Sequence, residues 1–475
     1  MAIERFSHLA HWGAYTAVVE DGRLVRCEPF ASDPHPSPML GAIPGMLYSP
    51  LRIRRPAVRK SWLERRERSD GSLRGREAFV EVDWDTALDL VANELARVRE
   101  QFGPTSVFGG SYGWSSAGRL HHARTLVRRF LFAGGGCVDQ MGNYSWGAAQ
   151  FFLPHVVGTF EPVSGKVTHW SSIAKHTKLF VAFGGLALKN GQVSSGGTAD
   201  HNMETWLRRT RDAGCEFVVI SPTRGDAPAF LHPTWIPIRP NTDTALMLAM
   251  AHVLIAEKLV DEAFLGRYCT GYEKFVPYVM GTSDGIPKTP GWQEDITGVP
   301  AATVAELARR IAKQRTMLSA AWSLQRADHG EQPYWMIITL AAMTGQVGLP
   351  GGGFGFGHGS IGGVGSPRPE VPAPEMPMGR NPAQAAIPVA RMADMLLHPN
   401  EQYDFNGKRE RFPDIRLVYW AGGNPYHHHQ DLNRLEQAWA RPQTVVVHDA
   451  WWTATARRAD IVLPATTTLE RSDVG

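Results

Sequence analysis

Uninterrupted apolar runs alternate with amphipathic segments along most of the chain, and each pattern predicts its own type of element. An uninterrupted run of five to eight residues is typical of a strand that is buried on both faces. Such strands are predicted at 178–185, 216–222, 316–322, 416–425, 444–451 and 460–466. Apolar residues at helical spacing predict helices at 83–103, 118–136, 244–259 and 301–314. Residues 10–28 predict short strands around the turn EDGR.

Strands that are separated by helices predict parallel sheets with helices on both faces, so the fold class is α/β with Rossmann-like units. Most of the predicted strands run out into Gly, Pro, Asn, Asp or Trp, as in FGG, ISPTR, AGGNP and HDAWW. Ligands of open parallel sheets bind outside the carboxyl ends of the strands. The pattern therefore predicts a large ligand contacted by many loops.

Composition narrows the class of partner. The chain has 475 residues, 43% hydrophobic and 20% charged, with a net charge of +3, which does not indicate a general polyanion partner. Residues 51–77 are rich in arginine, but interleaved acidic residues favour a solvated, salt-bridged segment over a nucleic-acid surface. No apolar stretch of about 18 residues and no signal core occurs, so we expect no membrane span and a cytoplasmic location.

Several motifs that could indicate a metal or nucleotide site are not supported by the sequence around them. The four cysteines, Cys27, Cys137, Cys215 and Cys269, are scattered without a CxxC, so neither a thiolate zinc site nor a cysteine-ligated iron–sulfur cluster is predicted. The GxGxxG match at 357–362 lies between glycine- and proline-rich loops, so no NAD site is predicted. The histidines at 427–429 favour a loop that uses one or two of them for ligand hydrogen bonds, rather than a metal cluster.

Two polar residues have both a local and a functional interpretation. Asp243 precedes a helical pattern and is predicted as its N-cap, although its carboxylate can also accept hydrogen bonds from a guanine edge. Ser145, in MGNYSWGAAQ, is flanked by glycines and no GxSxG elbow surrounds it. Its residue type alone leaves a turn residue, a nucleophile and a metal ligand open.

A set of motifs, in one order along the chain, resembles the dimethyl sulfoxide reductase family of molybdenum enzymes, closest to its biotin sulfoxide reductase and trimethylamine N-oxide reductase branch. The resemblance runs from about residue 8 to the last residue. The motifs are AHWG (10–13), GSYGW (110–114), NYSWGAAQ (143–150), PNTDTAL (240–246), QRADHGEQ (325–332), GQVGLPGGGFG (345–355), WAGGNPYHHHQD (420–431) and WTATARRADIVLPATTTLERSD (452–473).

The resemblance implies a site. It makes Ser145 the protein ligand of a molybdenum held by two molybdopterin guanine dinucleotides, without an iron–sulfur cluster. It implies catalytic roles for Tyr112, Trp114, Ser145, Trp322, Gln325 and Arg326. It implies cofactor contacts for Trp114, Arg224, Asp243, Gln325, Asn424, His428, Asp449, Trp452, Thr453 and Asp460. The sequence departs from the family pattern at Trp146, at 183–191 and at Ser221.

The resemblance also implies a domain plan: an N-terminal β-rich segment (1–60), a discontinuous α/β domain with the metal-ligand loop (61–155 and 389–475), a Rossmann-like cofactor domain (156–350) and a Gly/Pro-rich crossing loop (351–388). Relatives continue past the PATTTLERSDVG motif into more of the central fold and a β-rich domain, so we expect a C-terminally truncated protein that lacks that domain.

The activity that the resemblance implies is oxygen-atom transfer from a small S-oxide or N-oxide, such as biotin, methionine or dimethyl sulfoxide or trimethylamine N-oxide. A separate electron donor and a monomer are expected. Two alternatives stay open: an inactive, truncated cofactor-binding fragment, and a non-reductive molybdopterin enzyme such as a hydratase or transhydroxylase.

Overall fold

The structure is a computed structural model that describes residues 2–111, 117–164, 166–367 and 374–474. Tyr112 and Trp114 therefore lie outside the described residues. The strands are β1 (Ile3–Ala10), β2 (Gly13–Glu20), β3 (Arg23–Pro29), β4 (Ala57–Arg59), β5 (Phe79–Glu81), β6 (Val107–Gly110), β7 (Val138–Met141), β8 (Leu179–Phe183), β9 (Glu216–Ile220), β10 (Thr234–Ile236), β11 (Thr316–Ala320), β12 (Gly353–Phe356), β13 (Ala385–Pro388), β14 (Gln402–Phe405), β15 (Lys408–Arg411), β16 (Leu417–Ala421), β17 (Thr444–Asp449) and β18 (Ile461–Pro464).

Helices connect most of these strands. They are α1 (Ile43–Leu47), α2 (Lys60–Arg65), α3 (Trp84–Phe102), α4 (Ala123–Ala133), α5 (Gly147–Val157), α6 (Glu161–Ser164), α7 (Trp170–His176), α8 (Met203–Asp212), α9 (Asp243–Ala256), α10 (Glu262–Tyr268), α11 (Tyr272–Val279), α12 (Pro290–Thr297), α13 (Ala301–Lys313), α14 (Glu331–Met343), α15 (Met392–Leu397), α16 (Pro425–His428) and α17 (Leu432–Trp439). None of the described helices has the length and apolar character that a membrane span needs.

A five-stranded parallel sheet occupies the middle of the chain, in the order β10-β9-β8-β11-β12. Every residue of β8 and of β11 is buried, as their uninterrupted apolar runs predict. The largest apolar core lies against this sheet and includes residues of α9, α13 and α14. The α/β fold with parallel sheets is thus confirmed.

An eight-stranded sheet, in the order β13-β7-β6-β16-β17-β18-β4-β5, is assembled from two distant parts of the chain. Leu417 of β16 pairs in parallel with Val107 on one side and with Thr444 on the other. Among the described strands of this sheet, the antiparallel pairings are those of β4 with β18 and of β4 with β5, at one edge. The domain boundaries given above stay a prediction.

Two smaller sheets are antiparallel: β1-β2-β3, where short strands are predicted, and the hairpin β14-β15. The predicted crossing loop (351–388) contains two strands, β12 and β13, that each extend a parallel sheet. Strand β12 is rich in glycine, so it has no apolar periodicity by which it could be predicted. Glycine is needed for the close packing here, because a Cβ at Gly355 would lie 2.6 Å from Cε1 of His358.

Helix α3 begins and ends at residues that are typical of helix termini. The Asp83 carboxylate accepts a hydrogen bond from the Thr86 amide at 2.7 Å, and Gly103 follows the last helical residue with φ +81°. The predicted start and end of this helix are confirmed, with Asp83 as the N-cap.

Candidate cofactor and metal site

The carboxyl ends of the two parallel sheets meet through one side chain. Gln325 follows β11 of the five-stranded sheet, and Ser145 and Ala148 follow β7 of the eight-stranded sheet. Gln325 Nε2 donates to the Ser145 carbonyl oxygen at 3.0 Å, and its Oε1 accepts from the Ala148 amide at 2.8 Å. Gln325 is only 4% exposed, so these bonds lie in a poorly hydrated interior.

Ser145 is held by its backbone rather than by its side chain. Arg326 Nε donates a second hydrogen bond to the Ser145 carbonyl oxygen at 3.1 Å. The Asn143 side chain accepts from the Trp146 amide at 2.8 Å, which closes the turn. Within the described part of the chain the half-buried Ser145 hydroxyl has no hydrogen-bond partner. Its oxygen is therefore available to an added group.

Tyr144 connects the Ser145 turn to the histidines that follow β16. Its hydroxyl donates to the Val389 carbonyl oxygen at 2.8 Å and lies 3.0 Å from His429 Nδ1. Its ring stacks on that of His428, with the centroids 6.4 Å apart. Burial lowers the pKa of His429, which favours the neutral imidazole. His427 and His428 belong to the short helix α16, rather than to the predicted loop.

Asn424 lies just beyond the carboxyl end of β16 and Asp449 is the last residue of β17, at the same edge as the Ser145 turn. The Asp449 carboxylate accepts from the amide of Ala450 at 2.7 Å and from the Thr453 hydroxyl at 2.8 Å. Burial raises the pKa of Asp449. The Asn424 Oδ1 accepts from the Thr455 hydroxyl at 2.5 Å. These contacts order the loops after both strands. Trp452 packs on Phe79, with ring centroids 4.8 Å apart.

The five-stranded sheet places its predicted residues at its own carboxyl edge. Arg224 follows β9 and is exposed, with its guanidinium carbon 5.8 Å from the Trp235 ring centroid. Trp322 follows β11 and is buried, and its indole N–H has no acceptor among the described residues. Trp146, the departure beside Ser145, stacks on Phe160 with the rings 6.3 Å apart.

The prediction that Asp243 is the N-cap of its helix is wrong. Thr242 occupies the cap position, and Asp243 is the first residue of α9. Its carboxylate is buried at 9% exposure and caps no amide of the following turn, so desolvation raises the pKa of Asp243 to about 6. The cap was misplaced by one residue because Thr and Asp are both good N-cap residues and stand side by side.

Asp460 lies away from these loops, because it precedes β18 and therefore occupies the opposite edge of the sheet. It accepts from Arg59 Nε at 2.8 Å and from Arg74 Nη2 at 2.6 Å, and the carboxylate is completely buried. The Val445 amide adds a further bond at 2.8 Å. These contacts give Asp460 a structural role, while its predicted contact with a cofactor stays a prediction.

Sequence motifs alone did not single out Gln140, at the end of β7. Its Oε1 accepts from the Ser111 amide at 2.9 Å, and its buried Nε2 has no acceptor among the described residues. Gln140 is itself buried, but a single polar residue in a strand of four residues gives no sequence signal that separates it from a surface residue.

Comparison with known proteins identifies the family. A sequence profile of the molybdopterin oxidoreductase family matches residues 52–475, and a profile of the molybdopterin oxidoreductase N-terminal domain matches residues 8–48. The chain belongs to the molybdopterin oxidoreductase family. The resemblance that the motifs indicate is therefore confirmed.

Named relatives of this molybdopterin oxidoreductase include the dimethyl sulfoxide/trimethylamine N-oxide reductase of Rhodobacter capsulatus, which is 48% identical over 98% of the chain and 58% of the relative. The biotin sulfoxide reductase of Cereibacter sphaeroides is 47% identical over 94% of the chain and 60% of the relative. The chain thus spans 58% to 60% of the length of these two relatives. The solved acetylene hydratase from Pelobacter acetylenicus shares the fold, with a TM-score of 0.62 and 18% identity over 97% of this chain and 63% of that chain.

Membership in the molybdopterin oxidoreductase family implies a molybdenum–pterin cofactor, and the strand-end loops fit such a group. The Ser145 hydroxyl offers an uncommitted hard oxygen donor, which suits a high-valent metal. Gln140 Nε2 and Trp322 Nε1 are buried donors without acceptors in the described chain, and each belongs to a strand end or to the loop that follows one. Buried donors of this kind are normally satisfied, so they indicate a missing acceptor.

Proposed function

We propose that this molybdopterin oxidoreductase is a reductase that takes an oxygen atom from an S-oxide or N-oxide, with Ser145 as the protein ligand of the molybdenum. The observation that carries the proposal is the Ser145 hydroxyl, which has no partner in the described chain while its carbonyl oxygen is held by Gln325 and Arg326. The names of the relatives, which are sulfoxide and N-oxide reductases, support the substrate class.

The cofactor, when bound, supplies the oxygen-atom and electron chemistry, and the protein supplies orientation. Gln325 and Arg326 fix the backbone of Ser145, so the direction of its Cα–Cβ bond is set before any ligand arrives. The buried indole of Trp322 places an N–H donor next to the Gln325 segment. Buried donors in a water-poor site stabilise charge that develops on an oxygen more strongly than donors in water do.

The pterins are proposed to be two guanine dinucleotides, one at the edge of each sheet. Asp243 on the five-stranded side has a buried carboxylate that can accept hydrogen bonds from a guanine N–H edge. Arg224 supplies an exposed guanidinium for a phosphate at the same edge. Asn424, His428, Asp449, Trp452 and Thr453 are the corresponding candidates at the edge of the eight-stranded sheet.

The remaining parts of the proposal come from the sequence. A separate electron donor, the absence of an iron–sulfur cluster and of an NAD site, a monomeric state and a cytoplasmic location stay predictions. The substrate pocket would also include Tyr112 and Trp114.

The decisive variant is Ser145→Ala, with Ser283→Ala as the control because Ser283 is exposed and lies far along the chain from the strand-end loops. Molybdenum content, the circular dichroism spectrum and the reduced-dye oxidation rate are measured with dimethyl sulfoxide, trimethylamine N-oxide and biotin sulfoxide. We expect Ser145→Ala to keep its fold and lose oxide reduction, and Ser283→Ala to match the parent.

Three results would point elsewhere. Unchanged turnover by Ser145→Ala contradicts the ligand assignment. A parent protein that contains molybdenum but reduces none of the oxides favours the non-reductive alternative. A parent protein that takes up no molybdenum when it is made in cells that supply the cofactor favours the inactive fragment.

A further inference from the structure

Tyr144 directly precedes the proposed metal ligand, and its side chain is anchored to two other strand ends. Met141, the last residue of β7, pairs with Pro388, the last residue of β13. The Tyr144 hydroxyl donates to the Val389 carbonyl oxygen at 2.8 Å, just after β13. It also lies 3.0 Å from Nδ1 of His429, just after α16. One phenol therefore joins the turn after β7 to the segments that follow β13 and β16.

The direction of these two hydrogen bonds follows from the number of protons. A tyrosine hydroxyl carries one proton, and the Val389 carbonyl oxygen can only accept, so that proton lies in the bond to Val389. His429 must then donate from Nδ1 to the Tyr144 oxygen. His429 and Val389 are each 8% exposed, so water competes little for either bond. The phenol oxygen is thus held between one donor and one acceptor.

The ring of Tyr144 is held as well as its hydroxyl. It stacks on the His428 ring, with the centroids 6.4 Å apart and the planes at 30°. It meets the His429 ring edge-on, with the centroids 6.5 Å apart and the planes at 88°. The His429 amide donates to the Pro425 carbonyl oxygen at 2.9 Å, which fixes the backbone that carries this imidazole. Contacts at the ring and at the hydroxyl together select one side-chain rotamer of Tyr144.

Ser145 is therefore restrained from both sides along the backbone. On its N-terminal side, Tyr144 is tied to the eight-stranded sheet. On its C-terminal side, the Ser145 carbonyl oxygen accepts from Gln325 and Arg326, which follow β11 of the five-stranded sheet. Standard backbone geometry ties the Cα–Cβ bond of a residue to the two peptide groups that flank it. Restraining both flanks fixes the Cβ atom from which the Ser145 hydroxyl extends.

We propose that His429 is a positioning residue for the Ser145 ligand, acting through the hydroxyl of Tyr144. This inference rests on the proposed function, in which the Ser145 oxygen binds the molybdenum. A misplacement of about 1 Å in a group that takes part in a reaction costs up to about a hundredfold in rate. Loss of the hydrogen bond from His429 displaces the Ser145 hydroxyl without removing it. The effect is therefore smaller than that of Ser145→Ala.

The test uses the cofactor-loaded full chain and variants that break or keep this one bond. Tyr144→Phe removes only the hydroxyl, and His429→Leu removes the Nδ1 donor. His429→Asn is the conservative variant, because an asparagine amide presents an N–H close to the position of Nδ1. Tyr268→Phe is the matched control, since it removes the same atom from a tyrosine that is 63% exposed.

Three measurements separate positioning from a general loss of structure. The values of kcat and KM are determined with trimethylamine N-oxide. Molybdenum content is measured together with the visible absorption spectrum of the bound cofactor, which depends on the ligands of the metal. Hydrogen exchange is followed in the peptide that contains residues 143–150.

In Tyr144→Phe and His429→Leu we expect kcat to fall about tenfold while KM stays within about twofold of the parent value. The absorption spectrum should shift at unchanged molybdenum content, and exchange in the 143–150 peptide should be at least about threefold faster. His429→Asn should keep at least about half of the parent kcat because it keeps a donor. The control should match the parent in every measurement.

The double variant Tyr144→Phe/His429→Leu tests whether the two residues act together. Both single changes break the same hydrogen bond, so the double variant should have a kcat within about twofold of that of Tyr144→Phe. Losses that multiply in the double variant would show that His429 acts by another route and would overturn the proposal. Parent-like kcat and spectrum in both single variants would overturn it as well.

The remaining outcomes separate this inference from the proposed function. If Ser145→Ala leaves both the spectrum and the rate unchanged, the ligand assignment is wrong and the positioning role is overturned with it. If the parent protein reduces no oxide, the reductase function is wrong, while the spectrum and the exchange data still decide whether His429 orders the Ser145 turn. If His429→Leu does not fold, His429→Ala takes its place in the same measurements.

Discussion

Gln325 Nε2 donates to the Ser145 carbonyl oxygen at 3.0 Å, so a residue after β11 of one sheet fixes the turn after β7 of the other. The same side chain accepts from Ala148 and donates to the Trp322 carbonyl oxygen at 3.0 Å. Gln325 was predicted from the resemblance to contact cofactor and substrate. Its observed contacts with Ser145, Ala148 and Trp322 are to the protein backbone, and those with Ser145 and Ala148 stabilise the Ser145 turn.

Replacing Gln325 should therefore weaken metal binding by loosening Ser145. Gln325→Ala removes three hydrogen bonds: the Ala148 amide and the Trp322 carbonyl oxygen lose the partner that Gln325 supplies, while the Ser145 carbonyl oxygen keeps only its bond from Arg326. The expected cost is about 1–3 kcal/mol. We expect a lower urea midpoint and reduced molybdenum content. Gln332→Ala, an exposed position on α14, serves as the control. Parent-like stability and metal content in Gln325→Ala would show that the turn does not depend on this side chain.

Asp460 should be required for stability even without the cofactor. Asp460→Ala takes the carboxylate from the buried Arg74 and leaves the buried Arg59 only its pair with Glu77. Breaking such a buried pair costs about 3–5 kcal/mol. Denaturant unfolding of the cofactor-free protein measures this loss. The matched control is Asp404→Ala, whose exposed ion pair should contribute less than about 1 kcal/mol. A loss confined to the cofactor-loaded protein would instead favour direct cofactor contact.

Asp243 should make the cofactor-free protein less stable as pH rises. Its pKa is raised to about 6 in the folded state, against about 3.9 for an unperturbed Asp, so the folded state binds more protons between these values. Stability is then lost as pH increases from about 4 to about 6, by about 3 kcal/mol in total. Asp243→Asn should remove this slope, and urea unfolding at pH 4, 5, 6 and 7 measures it. Parallel curves for the two proteins would contradict the buried, protonatable carboxylate.

Elements with a strong local signal were predictable from the sequence. The strands β8 and β11 are uninterrupted apolar runs that are buried on both faces, and helix α3 has a cap at each end. Strands such as β7 and β13 are only four residues long and carry no such pattern. They exist because they pair with each other across a long stretch of chain, and a local pattern contains no information about a partner that distant.

The site shows the same division. Asp449 lies at the end of a predicted apolar strand, so its position at a strand end could be anticipated, whereas Ser145 was singled out by its motif alone. The hydrogen-bond and ion-pair partners of a polar side chain could not be anticipated, because they depend on groups that only the fold brings near. Asp460 is an example, because the guanidinium groups of Arg59 and Arg74 that donate to its carboxylate come from the N-terminal part of the chain.

The divided origin of the eight-stranded sheet sets the order in which the protein can be completed on the ribosome. The five-stranded sheet uses residues 179–356 and has all its strands once that part is synthesised. Strand β6, which lies next to β7 and the turn that carries Ser145, meets its other neighbour only when β16 (Leu417–Ala421) has emerged. Pairings between distant strands form slowly and leave edges exposed in the meantime. The turn that carries Ser145 is therefore among the last parts of the nascent chain to acquire its final surroundings.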